Sequence, residues 1–252
     1  MVVVKDGWAV QSFGYNRYLP LGKPECLVEN LDRWGADEIM VLSIDRSISD
    51  RGPDLALLER LAQLGLETPL IYGGGIRSVK DGVQVIQMGA DRLCVDALIH
   101  NDIETIRGLS QQLGVQAVIG VLPISWSNEH IKWFDYRTKV TNLLSDQILT
   151  DLAEVVSELL VVDWLNEGKF GAFDPHLVTH FPDKEIPLIA FGGLSQSEQI
   201  IELLSMPNIS AIAVGNFLSY KEHAIQLIKE EIIGSSLRPP NYESRYTLMS
   251  DV

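Results

Sequence analysis

The chain has 252 residues, of which 46% are hydrophobic and 21% are charged, and this composition excludes an intrinsically disordered protein. Its 20 Lys and Arg residues against 34 Asp and Glu residues give a formal net charge of −14, which excludes a general electrostatic attraction to nucleic acid or to an anionic membrane. No apolar run approaches the roughly 18 residues of a membrane span, and the N-terminus lacks a secretion signal, so the sequence predicts a cytoplasmic protein.

Short β-branched runs alternate with longer amphipathic stretches along the chain. Because buried parallel strands have continuous apolar runs, we predict eight strands, at Val2–Val4, Ile39–Ile44, Leu70–Tyr72, Arg92–Val95, Ala117–Leu122, Leu159–Val162, Leu188–Ala190 and Ala211–Val214. The stretches between them predict helices at Glu25–Gly35, Asp54–Leu64, Val79–Met88, Ile103–Leu113, Ser145–Ser157, Ser197–Leu204 and Ser219–Ile232, with a shorter connection around Pro175–His180. This alternation predicts one (β/α)8 TIM barrel over residues 1–252, and a doubly wound open sheet is the alternative.

An internal repeat favours the barrel. The segment Thr68–Ile76 matches Ile186–Leu194 at an offset of 118 residues, and Asp45 and Asp163 follow their strands at the same offset. Self-similarity at a fixed period indicates repeated structural units, and this period is close to half the chain. We therefore expect half-barrels at about 1–115 and 116–235, followed by a tail over 236–252.

Glycine clusters follow two of the predicted strands at repeat-related positions, Gly73–Gly75 and Gly192–Gly193. A glycine turn between a strand and a helix lets backbone N–H groups approach a phosphate, although one such turn alone is commonly a simple chain reversal. Gly215 and Asn216, after the eighth strand, complete the place where barrels of this kind hold phosphate. The sequence predicts an elongated ligand with phosphate at both ends, bound by Gly74, Gly75, Gly192, Gly193, Gly215 and Asn216.

Carboxylates at the ends of strands are candidates for proton transfer, because barrels hold such residues over the centre of the mouth. By position these are Asp6, Asp45, Asp96, Asp163 and Glu167. Asp96 lies beside the first glycine turn, where an ionised carboxylate would repel a phosphate. The five histidines are scattered, the two cysteines are expected as buried reduced thiols, and there is no serine or cysteine elbow, so we predict no metal, cofactor or covalent nucleophile.

Two loops after strands are long, and in a barrel such loops form the face that binds ligands. Trp8–Lys23 predicts a mobile lid, and Pro123–Asn142 contains an alternating stretch that predicts a hairpin. At the opposite ends of the strands, charges cluster at Glu38, Arg92 and Glu158. Charged residues in such places commonly cap strands and contact solvent.

The chain resembles the cyclase subunit of imidazole glycerol phosphate synthase over nearly its full length. The motifs that carry the resemblance are Val4-Lys5-Asp6-Gly7, Gly35-Ala36-Asp37-Glu38-Ile39, Gly73-Gly74-Gly75-Ile76, Gly89-Ala90-Asp91, Gln116-Ala117-Val118 and Gly192-Gly193. The resemblance implies a ribulose-phosphate-binding barrel of histidine biosynthesis, whose glycine turns hold the two phosphates of a ribulosyl carboxamide nucleotide. It also implies a heterodimer with a glutaminase, from which ammonia passes through the barrel.

The resemblance assigns roles to residues at both ends of the barrel. Glu38, Arg92 and Glu158 match three positions of the family's ammonia gate, and Asp91 matches a position that faces the glutaminase. The fourth gate residue of the family, an arginine, would precede Met1. These matches imply an ammonia channel that begins at the amino ends of the strands.

The chain departs from the family at the positions that transfer protons. The family carries one catalytic aspartate at the end of the first strand and another at the end of the fifth, where this chain has Val3 and Pro123. General acid–base catalysis contributes about 10²–10⁴-fold to a rate. In addition, Asp96 replaces an asparagine and Phe191 replaces a small residue beside the second phosphate site. These changes argue against ordinary imidazole glycerol phosphate formation and leave open whether the chain is an enzyme.

The pattern is similar to a divergent branch of the family associated with surface-sugar biosynthesis, and Arg17–Gly22 and Leu237–Tyr242 carry this likeness. In that branch the barrel and its glutaminase supply ammonia to a third, sugar-amidating enzyme. We therefore expect an ammonia-conducting subunit with a phosphorylated small molecule at its mouth. Two alternatives stay open, namely an active cyclase of histidine biosynthesis that uses Asp45 or Asp163 and a non-catalytic scaffold that activates a glutaminase.

Overall fold

The computed structural model describes residues 1–220 and 223–232. Its strands are β1 (Val2–Lys5), β2 (Trp8–Phe13), β3 (Arg17–Gly22), β4 (Ile39–Ser43), β5 (Leu70–Gly73), β6 (Arg92–Val95), β7 (Val118–Ser127), β8 (His130–Asp135), β9 (Val140–Leu143), β10 (Glu158–Asp163), β11 (Leu188–Phe191) and β12 (Ile209–Ile212). Its helices are α1 (Pro24–Arg33), α2 (Asp45–Ile48), α3 (Leu55–Ala62), α4 (Val79–Gln87), α5 (Ala97–Asn101), α6 (Ile103–Leu113), α7 (Asp146–Ala153), α8 (His176–Thr179), α9 (Ser197–Leu204) and α10 (Ala224–Glu231).

Eight of these strands form the wall of a (β/α)8 TIM barrel, which confirms the predicted fold class. Hydrogen-bonded neighbours follow the order β12-β11-β10-β7-β6-β5-β4-β1, and every pair in this order is parallel. The two ends of the order meet where the Met1 amino group donates a hydrogen bond of 2.7 Å to the Val214 carbonyl. Helices connect successive wall strands on the outside.

The wall strands separate two apolar layers, because successive side chains of a strand point to opposite faces. Val41, Leu93 and Leu159 face outward and pack in the layer between the wall and the helices. The inward-facing side chains form a second layer that fills the barrel: Met40, Ile71, Cys94, Ile119, Val121, Leu160, Val162, Ile189 and Phe191. The interior of the barrel is therefore apolar between its two ends.

β1, β2 and β3 form an antiparallel meander at the mouth. Asp6 and Gly7 have φ values of 51° and 79° and connect Lys5 to its partner Trp8 in a two-residue turn. The predicted lid Trp8–Lys23 is thus mostly a hairpin hydrogen-bonded to a wall strand.

β7 continues from the wall into the second structure at the mouth. It pairs with β6 up to Gly120 and with β8 from Ile124, and β9 extends this sheet as the predicted hairpin region. The Ile124 carbonyl accepts from Trp164 N on the β10 side, so the backbone of Pro123 faces the opposite side. That side is the gap between β6 and β8, where a residue without an N–H removes no ladder hydrogen bond.

Some details differ from the sequence-based expectation. The eighth wall strand is Ile209–Ile212 rather than Ala211–Val214, because pairing with β11 begins at Ile209, which Ser210 separates from the apolar run. Cys94 is buried, but Cys26 is exposed because α1 turns its other face to the core. The expected tail over 236–252 and Leu237–Tyr242 lie outside the described residues. Within the described part of the chain, no helix is long and apolar enough to cross a bilayer.

Candidate functional site

The carboxyl ends of the wall strands surround a cavity of about 470 Å³, which we call the mouth cavity. Its size lies within the range of about 300–1,000 Å³ that is typical of small-molecule sites. Charged residues of both signs line it: Lys5, Arg51, Lys139, Asp6, Asp45, Asp96 and Glu167. A ligand there meets cations, carboxyl groups and an apolar floor.

The first glycine turn forms one side of the mouth cavity. Gly74 and Gly75 have φ values of 116° and 72°, a region that side chains rarely adopt. A Cβ on Gly75 would lie 2.6 Å from the Gly52 carbonyl oxygen, and one on Gly74 would collide with the Ser43 carbonyl. Gly75 N donates to Ser47 Oγ at 3.2 Å. The Cβ positions of this turn therefore lie against protein backbone, and its other side borders the mouth cavity.

The second glycine turn has the same backbone shape but a different setting. Gly192 and Gly193 have φ values of 109° and 76°, and their Cβ positions lie 2.6 Å from the Asp163 carbonyl and 2.8 Å from Phe173 N. These residues, together with Gly215 and Asn216, line a cavity of about 50 Å³, which we call the second cavity. The structure thus brings the second set of predicted phosphate-binding residues together around a small space.

Asp45 and Asp163, the two candidate catalytic residues, occupy unlike environments. Asp45 lines the mouth cavity and its Oδ2 lies 2.5 Å from Arg51 Nη2. Asp163 is buried, and its carboxyl accepts hydrogen bonds from Asn166 N, from Asn166 Nδ2 at 2.9 Å and from Asp174 N at 2.9 Å. Asp163 thus holds the loop after β10 and is absent from the described lining of both cavities.

Glu167 is a buried carboxyl that lines both cavities. Its Oε2 accepts a hydrogen bond from Ser12 Oγ at 3.1 Å and one from Tyr15 N at 3.4 Å. Burial raises the pKa of Glu167 above its ordinary value, and these hydrogen bonds oppose that change. Glu167 therefore binds a proton more tightly than an ordinary glutamate does.

Asp96 and His100 form a half-buried titratable pair, with Asp96 just before α5 and His100 within it. Asp96 Oδ1 lies 3.6 Å from His100 Nε2, and both atoms are buried without a hydrogen-bond partner in the described structure. Burial raises the pKa of Asp96 against the opposing effects of His100 and Arg137. The nearby His100 and Arg137 oppose the negative charge of Asp96, so the repulsion predicted for Asp96 beside the first turn is smaller than that of an isolated carboxylate.

Sequence reasoning missed His100. The ring of His100 stacks on Trp133 of β8 with centroids 3.8 Å apart, so a residue from the hairpin region fixes its orientation. The i, i+4 spacing of Asp96 and His100 was the available signal, because residues at this spacing are neighbours on a helix. Among the described residues, no group of three or more His, Cys, Asp or Glu is arranged to hold a metal ion.

At the opposite end of the barrel, Glu38, Arg92 and Glu158 form what we call the gate cluster. Arg92 Nη1 lies 3.4 Å from Glu38 Oε1, and Arg92 Nη2 donates to Glu158 Oε2. Arg92 Nε also donates to the Gln116 carbonyl at 3.0 Å, and Ser210 Oγ donates to Glu158 Oε1 at 2.6 Å. The cluster therefore holds one arginine between two glutamates, where the apolar interior begins.

Asp91 lies next to the gate cluster on the exposed rim. Its Oδ2 accepts a hydrogen bond of 2.7 Å from Leu70 N, which ties it to the start of the neighbouring wall strand. A carboxylate in this place is fixed in position and accessible at the same time.

Comparison with known proteins agrees with this geometry. A family model described as histidine biosynthesis protein matches residues 2–224. The chain belongs to this family. It is 27% identical over 229 residues to the imidazole glycerol phosphate synthase subunit HisF of Natranaerobius thermophilus, covering 90% of this chain and 91% of that one. It is 28% identical over 234 residues to the HisF of Staphylococcus aureus strain Newman (91% and 92%) and 26% identical over 229 residues to that of an Exiguobacterium species (90% and 89%).

These matches show a HisF-like member of the histidine biosynthesis protein family and confirm the resemblance to the cyclase subunit. Within this family member, the positions at which the resemblance implies proton transfer carry Val3, which is buried and lines the mouth cavity, and Pro123, which is buried in β7. Neither residue carries an acid or a base. Among the residues lining the mouth cavity, Glu167 is a buried carboxyl and Asp96 is a half-buried one with a buried Oδ1, both on other elements.

Proposed function

We propose that this HisF-like chain pairs with a glutaminase and takes glutamine-derived ammonia through its barrel. The ammonia serves to amidate a sugar or nucleotide, directly or through a third, sugar-amidating enzyme, rather than to make imidazole glycerol phosphate. A phosphorylated small molecule occupies the mouth cavity.

The observation that carries the proposal is the gate cluster at the start of an apolar interior. Arg92, held by Glu38 and Glu158, lies at the amino end of the barrel, and a ligand-sized cavity lies at the other end. An apolar interior excludes water and ions but admits a small neutral molecule such as ammonia. Movement of one arginine between two glutamates is a means of opening such a path.

The surface around the gate cluster supports a protein partner at this end. Asp91 is exposed beside Arg92, and Glu38 is exposed just before β4. An acidic rim of this kind favours a partner with basic groups. Asp91 is accordingly the residue that we propose contacts the glutaminase.

The loss of proton-transfer groups supports a product other than imidazole glycerol phosphate. Val3 and Pro123 supply neither acid nor base, which removes a contribution of about 10²–10⁴-fold. The direct check is to supply ammonium salt and the ribulosyl carboxamide nucleotide. Formation of imidazole glycerol phosphate at a useful rate would overturn this part of the proposal in favour of an active cyclase.

The ammonia route is tested by mixing the chain with its cognate glutaminase and measuring glutamine hydrolysis. We expect complex formation and faster hydrolysis, and the absence of both would overturn the proposal. Ala211→Trp, which fills the interior, should reduce the ammonia that reaches the acceptor while complex formation persists. Ala56→Trp, on the exposed face of α3, is the matched control. If Ala211→Trp leaves delivery unchanged, the chain is a scaffold that activates the glutaminase.

A further inference from the structure

The carboxyl groups that line the mouth cavity differ in what holds them. Asp6 Oδ2 lies 2.8 Å from Lys5 Nζ, and Asp45 Oδ2 lies 2.5 Å from Arg51 Nη2. Both cations line the same cavity as the carboxylates that they contact. The negative charges of Asp6 and Asp45 are therefore offset within the protein.

The two other carboxyls among the described lining residues are Glu167 and Asp96. Glu167 Oε2 accepts hydrogen bonds from Ser12 Oγ at 3.1 Å and from Tyr15 N at 3.4 Å. Asp96 Oδ1, in contrast, is buried without a hydrogen-bond partner, and His100 Nε2 lies 3.6 Å from it, beyond hydrogen-bond range. Because an unpaired buried polar atom costs free energy, Asp96 is the mouth carboxyl that still requires a donor.

His100 is unpartnered on the other side of this pair. Its side chain is only 9% exposed, and its Nε2 has no hydrogen-bond partner in the described structure. The stack of its ring on Trp133 fixes its orientation beside Asp96. Arg137, whose charge also acts on Asp96, has its Nε 3.2 Å from Asp135 Oδ1. Arg137 is thus held by another carboxylate, and the Asp96–His100 pair keeps its unpaired atoms.

The position of Asp96 relative to β6 places it at the mouth end of the barrel interior. Arg92 and Cys94 lie two residues apart on β6, and Asp96 follows at the same spacing, so the three residues share one face. Arg92 belongs to the gate cluster, Cys94 to the apolar layer that fills the barrel, and Asp96 to the lining of the mouth cavity. Cys94 lines the mouth cavity as well, so the apolar layer ends beside Asp96.

The group that Asp96 lacks is a hydrogen-bond donor. Hydrogen bonds from N–H groups to a carboxylate are short and roughly twice as strong as those between neutral groups. Ammonia carries three N–H groups and is no larger than a water molecule, so it suits a side chain of which only 16% is exposed. Ammonia in the apolar layer has no hydrogen-bond partner, and Asp96 would supply one where that layer ends.

We propose that Asp96 binds ammonia where it leaves the barrel interior and that His100 holds the Asp96 carboxyl in position. This inference deepens the ammonia route proposed above and rests on it. The ligand class is ammonia or its protonated form, ammonium, since either supplies the N–H donor. Bound at Asp96, the nitrogen lies at the edge of the mouth cavity and within reach of a second ligand there.

The first experiment titrates the isolated full chain with ammonium chloride and follows carboxyl ¹³C and histidine ring ¹⁵N signals by NMR. Potassium chloride at the same concentrations is the control, because potassium is a cation of similar size without a hydrogen-bond donor. We expect saturable movement of the Asp96 and His100 signals with ammonium and none with potassium. Equal movement with both salts, movement of the Glu167 signal instead, or no movement would each overturn the proposal.

The second experiment removes the charge of one mouth carboxyl at a time. Asp96→Asn should weaken ammonium binding, followed at His100, by roughly tenfold or more. Asparagine is the residue that the family resemblance implies at this position, so we expect the variant to fold. Asp6→Asn is the matched control, since Asp6 lines the same cavity, has Lys5 as its partner and has a φ of 51° that asparagine adopts readily. Equal weakening in both variants, or in neither, would overturn the proposal.

A third variant tests the positioning role of His100. His100→Phe keeps a ring against Trp133 and removes Nε2, so it should weaken the ammonium response of the Asp96 signal without loss of packing. His100→Gln replaces it if circular dichroism shows that the phenylalanine variant fails to fold. An unchanged ammonium affinity overturns the role of His100. Because no glutaminase is present in these experiments, their failure leaves the pairing with a glutaminase and the ammonia route untouched.

Discussion

Gly75 and Gly193 hold nearly the same left-handed backbone conformation 118 residues apart, with φ values of 72° and 76°. In both turns the glycine lies against backbone of the loop that follows the preceding wall strand, Gly52 for Gly75 and Asn166 for Gly193. Both turns therefore require glycine, because a side chain at either position would collide with the backbone of the neighbouring loop.

This relationship predicts matched losses of stability. Gly75→Ala and Gly193→Ala should each lower the free energy of unfolding by roughly 1–3 kcal/mol, because each combines an unfavourable φ with a backbone contact. Gly65→Ala is the control, since Gly65 has a φ of 63° but no atom within 4 Å of its Cβ position. Urea unfolding gives the free energy of unfolding of each variant. The loss in Gly75→Ala or Gly193→Ala minus the loss in Gly65→Ala is the contribution of the backbone contact. Equal losses in all three would show that backbone strain alone is responsible.

The gate cluster predicts a stability effect that does not depend on any partner. Arg92→Met removes the cation between Glu38 and Glu158 and should cost about 1–3 kcal/mol, because Glu158 is left largely buried without its charged donor. Arg107→Met breaks an ion pair with the exposed Glu154 and should change stability much less, because solvent screens this pair. Thermal and urea unfolding at neutral pH distinguish the two outcomes. A small effect of Arg92→Met would mean that the cluster is solvated like a surface pair.

The buried carboxyl of Glu167 predicts a pH dependence of stability. Its folded-state pKa lies above the unfolded value, so the folded state binds the proton more tightly and stability falls as pH rises from the unfolded pKa, about 4.3, through the folded pKa. Glu167→Gln keeps an acceptor for Ser12 Oγ and lacks this penalty. We expect the free energy of unfolding of Glu167→Gln to rise relative to that of the native protein as pH rises, by about 1.4 kcal/mol for each unit of difference between the folded and unfolded pKa.

Unfolding curves between pH 4 and 8 check this expectation. Glu104→Gln, at an exposed position, should show no such gain. A Glu167→Gln variant that is less stable than the native protein at neutral pH would show that the hydrogen bonds outweigh the burial penalty.

Asp96 and His100 predict a titration that depends on the pair. Because His100 lowers the pKa of Asp96, His100→Asn should raise the pKa of Asp96 further. Four other groups face Asp96 from the mouth: Arg137, which also lowers its pKa, Asp135, which raises it, and the rings of Tyr15 and Tyr136. Carboxyl ¹³C NMR of the labelled protein measures the change, with His130→Asn on the exposed end of β8 as the control. An unchanged Asp96 titration would show that the pair does not interact.

The sequence predicts the barrel well because the wall strands are short apolar runs that alternate regularly with amphipathic helical stretches. The mouth is less predictable. The Asp6-Gly7 pair between two apolar runs is a strong hairpin signal, although Trp8–Lys23 is predicted as a loop. Asp45 and Asp163 are equivalent in sequence, but their different neighbours, Arg51 and the amides of Asn166 and Asp174, arise only on folding. The unequal cavities likewise depend on where the Phe191 ring lies, which no spacing indicates.

Pro123 marks the point at which β7 leaves the barrel wall. Before Pro123, β7 belongs to the wall, and beyond it β7 forms an antiparallel sheet with β8 and β9. On the β6 side Pro123 has no N–H to pair, whereas on the β10 side the Ile124 carbonyl still accepts from Trp164 N. A substitution in the hairpin sheet beyond Pro123 therefore disturbs no ladder hydrogen bond between β6 and β7, and the hairpin sheet can vary in sequence while the barrel wall is kept.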